Sequence, residues 1–90
     1  MSVNGDSHLW KITVVGGEGD EETVQLNEHA HLHQLLGKGV KELYGEAADP
    51  DAYDLLIGGA IQEDLKRTLS DTGLSDGSEV TILSKDVSRG

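Results

Sequence analysis

The spacing of the apolar residues changes along this chain, and that change restricts the possible folds more than any other feature. In LWKITVVGG, the residues Trp10, Ile12 and Val14 lie at alternate positions, as in a strand that buries one face. Near residue 31 the apolar residues begin to recur at the three- and four-residue spacing of a helical stripe, and the final run EVTIL alternates again. One helical segment among several strand segments predicts an α+β fold, with a single helix packed across one face of a mixed, four- to five-stranded sheet.

The order of the elements follows from the turn signals between them. Residues 10–26 are predicted to form a β-hairpin around the acidic, glycine-rich turn GGEGDEE. The helix follows over residues 31–44, with Asn27 as a candidate N-cap and Gly45 as a natural stop. A strand in YDLLIGG, a short strand near residues 60–62 and the strand in EVTIL complete the sheet. Because the first and last strands are each strongly apolar on one face, we expect them to pair in parallel at its centre.

Two glycines, Gly37 and Gly39, lie inside the predicted helix. Each costs about 1 kcal/mol relative to alanine in a helix interior. We therefore expect tertiary packing to hold the helix in place, or another segment to approach it closely at these positions.

Composition limits the chemistry of the chain. The absence of cysteine excludes disulfides, thiolate metal sites and cysteine nucleophiles. A formal net charge of −10 disfavours nucleic acids and anionic membranes as partners. The sequence has no apolar run of about 18 residues and no secretory signal, so we expect a cytoplasmic protein without a membrane span.

The 90 residues are enough for one small domain. We expect residues 1–8 to be a disordered N-terminal segment, residues 9–83 to form the domain, and residues 84–90 to be a flexible C-terminal tail.

The second half of the sequence carries a family resemblance. YDLLIGGAIQEDLKRTLSDTGLSDGSEVTIL resembles the second half of ubiquitin, with a strand that ends in Gly58 and Gly59, the run RTLSD at residues 67–71, and the final strand. The hairpin and the helix upstream have the matching order, so the resemblance covers residues 9–83. It implies a ubiquitin-like β-grasp fold. The segment LSDTGLSDGSEVTIL most resembles small bacterial ubiquitin-like proteins, including those associated with type VII secretion and with conjugation operons.

The resemblance makes the C-terminal residues SKDVSRG candidates for function. In ubiquitin-like modifiers, a flexible C-terminus that ends in two glycines is adenylated by an activating enzyme, passed on as a thioester and joined to an amine of a target. Gly90 is therefore the candidate conjugation terminus, and activating enzymes, conjugating enzymes and protein targets are the implied partners. Arg89 stands where the family has its other glycine. This departure puts the usual activation machinery in question.

A second candidate site is the face of the sheet turned away from the helix. Strand alternation turns Leu56 toward solvent, and Leu83 also faces outward because it is opposite in phase to Ile82. Leu56 and Leu83 match two positions of the apolar patch by which ubiquitin is recognised, and Val15 is expected beside them. The third member of that patch, a leucine in the hairpin turn, is missing because the turn is acidic here.

Histidines and carboxylates are weaker signals. His29 and His33 would lie one turn apart on a helix, with His31 between them and His8 upstream, and we expect all four to be surface residues rather than metal ligands. No GxSxG, P-loop or HExxH motif is present, and no carboxylate lies in an evident apolar pocket. The sequence therefore predicts a protein that is not an enzyme and has no cofactor.

Three functions remain open at this point. The first is a protein modifier activated at Gly90. The second is a non-covalent interaction module, such as a type VII secretion accessory protein, which would use Leu56 and Leu83 and no tail chemistry. The third is a sulfur carrier whose terminal glycine becomes a thiocarboxylate, although such carriers also have two glycines.

Overall fold

The computed structural model describes residues 9–90. This part of the chain forms, in order, β1 (Leu9–Gly16), β2 (Glu21–Asn27), α1 (Leu32–Tyr44), β3 (Tyr53–Ile57), β4 (Ala60–Ile61), β5 (Glu79–Ser84) and α2 (Lys85–Ser88). Short 3-10 turns lie at Pro50–Ala52 and Ser70–Thr72. The segment predicted to be disordered, residues 1–8, lies outside the described residues. Over residues 9–90, no helix has the length and apolar character needed to cross a bilayer.

The five strands form one sheet in the order β2-β1-β5-β3-β4. β1 and β2 form the predicted hairpin, with Leu9 opposite Asn27 and Val15 opposite Glu21. β1 and β5 pair in parallel, whereas β3 is antiparallel to both β5 and β4. The prediction that the first and last strands are parallel neighbours inside the sheet is confirmed.

The core lies between α1 and one face of the sheet. It is aliphatic, and its fully buried members come from the helix, from three strands and from the segment before the second 3-10 turn: Ile12, Val14, Leu32, Leu35, Val40, Leu55, Leu69 and Ile82. The apolar stripe of α1 thus packs against the inward-facing, alternate residues of β1 and β5, as the two sequence periods predict. The predicted α+β class, with one main helix across a mixed sheet, is confirmed.

The start of α1 differs from the prediction. Asn27 is not the N-cap. It is the last residue of β2, and its Oδ1 accepts a hydrogen bond from the N–H of His29 at 2.8 Å. The N-cap is His31, whose N–H donates to Gln34 Oε1 at 3.0 Å. Asn27 cannot cap the helix because its pairing with β1 and the turn after it place the first helical residue five positions later, at Leu32.

The end of α1 agrees with the prediction. Gly45 follows the helix with φ +103°, and its N–H donates to the carbonyl of Lys41 at 3.0 Å. A left-handed backbone angle of this kind favours glycine, because a Cβ would be strained there.

Of the two glycines inside α1, only Gly39 lies against the sheet. A Cβ at Gly39 would overlap the Cδ1 of Ile82 and lie 3.2 Å from Val14 Cγ1, whereas a Cβ at Gly37 would meet nothing within 4 Å. The expected close approach is therefore real, and it is confined to Gly39.

Candidate functional site

The outer face of the sheet, opposite α1, carries a row of side chains from four strands. Val15 of β1 lies beside Thr81 of β5, Thr81 lies beside Leu56 of β3, and Leu56 lies beside Ile61 of β4. Residues directly opposite one another on neighbouring strands share a face. All four are half-buried, and we call this row the outer-face patch. Sequence reasoning found Val15 and Leu56. It missed Thr81, which is polar, and Ile61, whose strand is only two residues long.

Leu83 lies on the same face, but one row nearer the C-terminus. Its cross-strand neighbour is Asp54. It also borders a cleft of about 340 Å³ whose lining includes Tyr44, Tyr53, Val87 and Glu18. Leu83 therefore belongs to the outer face and lies diagonally from Val15 and Leu56, which are the cross-strand neighbours of Thr81.

One side of this cleft is formed by two stacked tyrosines. The rings of Tyr44 and Tyr53 stack with centroids 4.6 Å apart. The hydroxyl of Tyr44 donates to the carbonyl of Ile82 at 2.8 Å and accepts from the N–H of Gly17 at 3.3 Å. These bonds fix the end of α1 against β5 and the hairpin turn. Sequence reasoning missed the cleft because the two tyrosines belong to different elements.

The C-terminal segment, predicted from the sequence to be a flexible tail, contains one short helix. Residues 85–88 form α2, a single helical turn. Ser84 caps it, because its Oγ accepts from the N–H of Val87 at 3.3 Å, and the N–H of Arg89 donates to the carbonyl of Lys85 at 2.9 Å. A Cβ at Gly90 would overlap the carbonyl oxygen of Asp86, so a larger residue at position 90 would have to shift the end of this turn.

Arg89 holds this turn against β3. Its Nε and Nη2 donate to the two carboxylate oxygens of Asp54 at 2.8 and 3.0 Å, and Nη2 also lies 3.3 Å from Glu63 Oε1. The hydroxyl of Ser88 donates to the same carboxylate at 2.5 Å. Asp54 is only 5% exposed as a result, although strand alternation places it on the outer face. We call the pairing of Asp54 with Arg89 the tail clasp.

Electrostatics favour the charged form of both partners in the tail clasp. The hydrogen bond from Arg89 lowers the pKa of Asp54 below its usual value, against the opposing effect of burial. The same hydrogen bond, with a smaller contribution from Glu63, raises the pKa of Arg89. A bidentate bond between a guanidinium and a carboxylate is among the stronger polar contacts in proteins. It is the feature of the C-terminal segment that sequence reasoning did not find.

The three histidines among the described residues, His29, His31 and His33, do not form a metal site. His29, His31 and His33 are all exposed, and His29 precedes α1, so the predicted one-turn spacing between His29 and His33 does not occur. Within residues 9–90, no group of three or more histidine, cysteine or acidic side chains is placed to hold a metal ion. His8 lies outside the described residues.

Comparisons with known proteins identify the fold. No protein-family model and no curated protein match the chain. Among solved structures, the UBL domain of Plasmodium falciparum Dsk2 is similar, with a TM-score of 0.72 and 18% identity over 84% of this chain and 97% of that domain. Ubiquitin from Caldiarchaeum subterraneum also has a TM-score of 0.72, with 20% identity over 84% of this chain and 92% of its own. The fold of this chain is therefore the ubiquitin-like β-grasp fold.

Proposed function

We propose that this chain is a ubiquitin-like protein modifier whose Gly90 carboxyl group is activated and joined to an amine of a target protein. The observation that carries the proposal is the position of Gly90. It is exposed, and it lies six residues beyond the end of β5, an interior strand of a ubiquitin-like fold. When the residues after β5 extend, the Gly90 carboxyl group can enter the active site of another protein without unfolding of the sheet.

The implied partners are an activating enzyme, conjugating enzymes and protein targets. The activating enzyme must accept Arg89 in place of the other glycine, and it therefore needs a wider channel at that position, since only glycine lacks a Cβ. A bacterial source, a cytoplasmic location and a role without catalysis of its own are parts of the same proposal.

The experiment measures ATP–pyrophosphate exchange and thioester formation by the cognate activating enzyme. The matched control is a semisynthetic chain that ends in a Gly90 carboxamide. It keeps every side chain and the tail clasp but has no terminal carboxylate. We expect exchange with the native chain and none with the amide or with a Gly90 deletion. Equal exchange by the native and amidated chains, or no exchange by either, refutes activation at Gly90.

Intact mass separates conjugation from sulfur carriage. A sulfur carrier would acquire one oxygen-to-sulfur exchange at Gly90 after incubation with ATP, its activating enzyme and a sulfur donor. A modifier would instead form a thioester to the enzyme and then an amide to a target.

A second function, non-covalent recognition, is favoured by the outer-face patch. Val15, Leu56 and Ile61 flank Thr81 across four strands, and an apolar row of this kind suits a partner with an apolar side chain at its contact. Recognition through the patch requires no chemistry at Gly90 and tolerates Arg89.

The test for this second function measures binding to proteins encoded by neighbouring genes. We expect Leu56→Asp to weaken binding at least about tenfold, because a charge in the patch would be buried in the complex. The control Gln25→Asp adds the same charge to an exposed position of β2 outside the patch and should not weaken binding. If removal of residues 84–90 abolishes binding and Leu56→Asp does not, recognition through the patch is wrong.

A further inference from the structure

The C-terminal segment supplies the hydrogen bonds of one buried carboxylate, that of Asp54. Every hydrogen bond that the structure gives to the Asp54 carboxylate, over residues 9–90, comes from the C-terminal segment, from Ser88 and Arg89. Among the described residues, the hydrogen bonds to this carboxylate are therefore supplied by that segment and not by the rest of the domain. If the segment moved away, Asp54 would lose these hydrogen bonds and would lie beside Leu83, near the start of β3.

The clasp also decides the shape of the C-terminal segment. A helix of a few residues is not stable alone in water, because its first turn fixes several residues for a single hydrogen bond. The one apolar side chain of α2, Val87, is 68% exposed, so apolar burial contributes little to holding the turn. The contacts that tie the turn to β3 are the hydrogen bonds of Arg89 and Ser88 to Asp54, and Glu63 adds a further acceptor for Arg89.

The folded shape keeps Gly90 near the domain. A helical segment advances about 1.5 Å per residue, whereas an extended one advances about 3.3–3.6 Å. The six residues after Ser84 thus span about 9 Å when helical and about 20 Å when extended. Gly90 is the residue next to Arg89, so it cannot extend while the clasp is closed.

We propose that Asp54 acts as a latch: by binding Arg89 it keeps Gly90 folded against the domain. A partner that bears a carboxylate would bind Arg89 in place of Asp54 and so release the C-terminal segment. Arg89 would lose two acidic acceptors when the segment extends, Asp54 and Glu63. A partner that offers a carboxylate of its own replaces them and stabilises the extended form. The latch itself is independent of the proposed function, whereas the role of the partner rests on activation at Gly90.

The first experiment tests the latch without any partner. The full chain is compared with Asp54→Asn, with Arg89→Gln, and with the control Asp71→Asn. Asp71 is exposed, and the control makes the same change of side chain and charge away from the clasp. Amide heteronuclear NOEs of residues 85–90 report the order of the segment, and the rate at which carboxypeptidase Y releases Gly90 reports access to it.

We expect ordered amides in the native chain and in Asp71→Asn. In Asp54→Asn and Arg89→Gln we expect NOEs typical of a free terminus and release of Gly90 at least about fivefold faster. Because Arg89 is exposed, Arg89→Gln should not destabilise the domain. If Asp54→Asn unfolds, the comparison of Arg89→Gln with the native chain still tests the latch. A native segment as mobile as that of the variants, or equal release rates in all four chains, overturns the latch.

The second experiment measures KM and kcat for the activating enzyme with the same four chains. Asp54→Asn opens the latch and keeps Arg89, so its KM should fall at least about threefold at unchanged kcat. Arg89→Gln opens the latch but removes the group that the partner binds, so its KM should rise. If the KM values of Asp54→Asn and Arg89→Gln shift in the same direction, the proposal that the partner binds Arg89 is wrong. If the native chain is not activated at all, the proposed function and the role of the partner both fail, and the NOE and carboxypeptidase results still decide the latch.

Discussion

The two glycines of α1 allow a matched test of how the helix packs. Gly37 and Gly39 lie two residues apart in the same helix, so replacing either with alanine gains the same helix propensity, about 1 kcal/mol. Only their surroundings differ. Gly37 has open space where a Cβ would be added, whereas at Gly39 the Cβ would overlap the Cδ1 of Ile82.

The expected free energies of unfolding follow from this difference. Gly37→Ala should gain about 1 kcal/mol, which raises the Tm of a domain of this size by about 4–8 °C. Gly39→Ala gains the same propensity but loses about 1–3 kcal/mol to overpacking. Ile82 is fully buried, so its methyl group has no free space to turn into. Gly39→Ala should therefore unfold at a lower temperature than Gly37→Ala by at least about 4 °C.

The stability of both variants is measured by thermal unfolding, followed by far-UV circular dichroism, and by urea unfolding, followed by Trp10 fluorescence. The double variant Gly39→Ala with Ile82→Val is the control, because removal of Cδ1 should recover part of the lost stability beyond the sum of the two single effects. Equal stability of Gly37→Ala and Gly39→Ala, or strict additivity in the double variant, would show that the close approach of α1 to β5 is not the reason for glycine at position 39.

Two further predictions concern the cleft and the clasp. Tyr44→Phe removes the hydroxyl that binds the Ile82 carbonyl and the Gly17 N–H, and it should cost about 1–3 kcal/mol, seen as a lower urea midpoint. The lowered pKa of Asp54 means that the clasp stabilises the native form above the usual aspartate pKa of 3.8 and loses this contribution as pH falls through the lower folded value. NOEs of α2 recorded from pH 7 down to pH 2.5 should therefore fall only below about pH 3.8, and they should show no such step in Arg89→Gln.

The helix and the strands were predictable from the sequence where one period of apolar residues decided the buried face. Val14 and Ile82 illustrate this, since each is the inward member of an alternating run and each is fully buried. The start of α1 was not predictable in the same way. Its first N–H groups, of Leu32 and His33, donate to the carbonyls of Arg67 and Leu65. These partners come from a distant loop, and no local sequence pattern reveals them.

The tail clasp escaped prediction for a related reason, which also bears on its function. The chain has 17 acidic and 7 basic residues, so many carboxylates compete for few cations, and no local pattern assigns Arg89 to one of them. The antiparallel register of β3 and β5 makes the choice, because it places Asp54 beside Leu83, where the chain leaves the sheet. Arg89, one of the few basic residues, is thus bound by Asp54 and Glu63, and it lies next to Gly90. Held by charge rather than by apolar burial, this segment can be released by a competing carboxylate while the core stays intact.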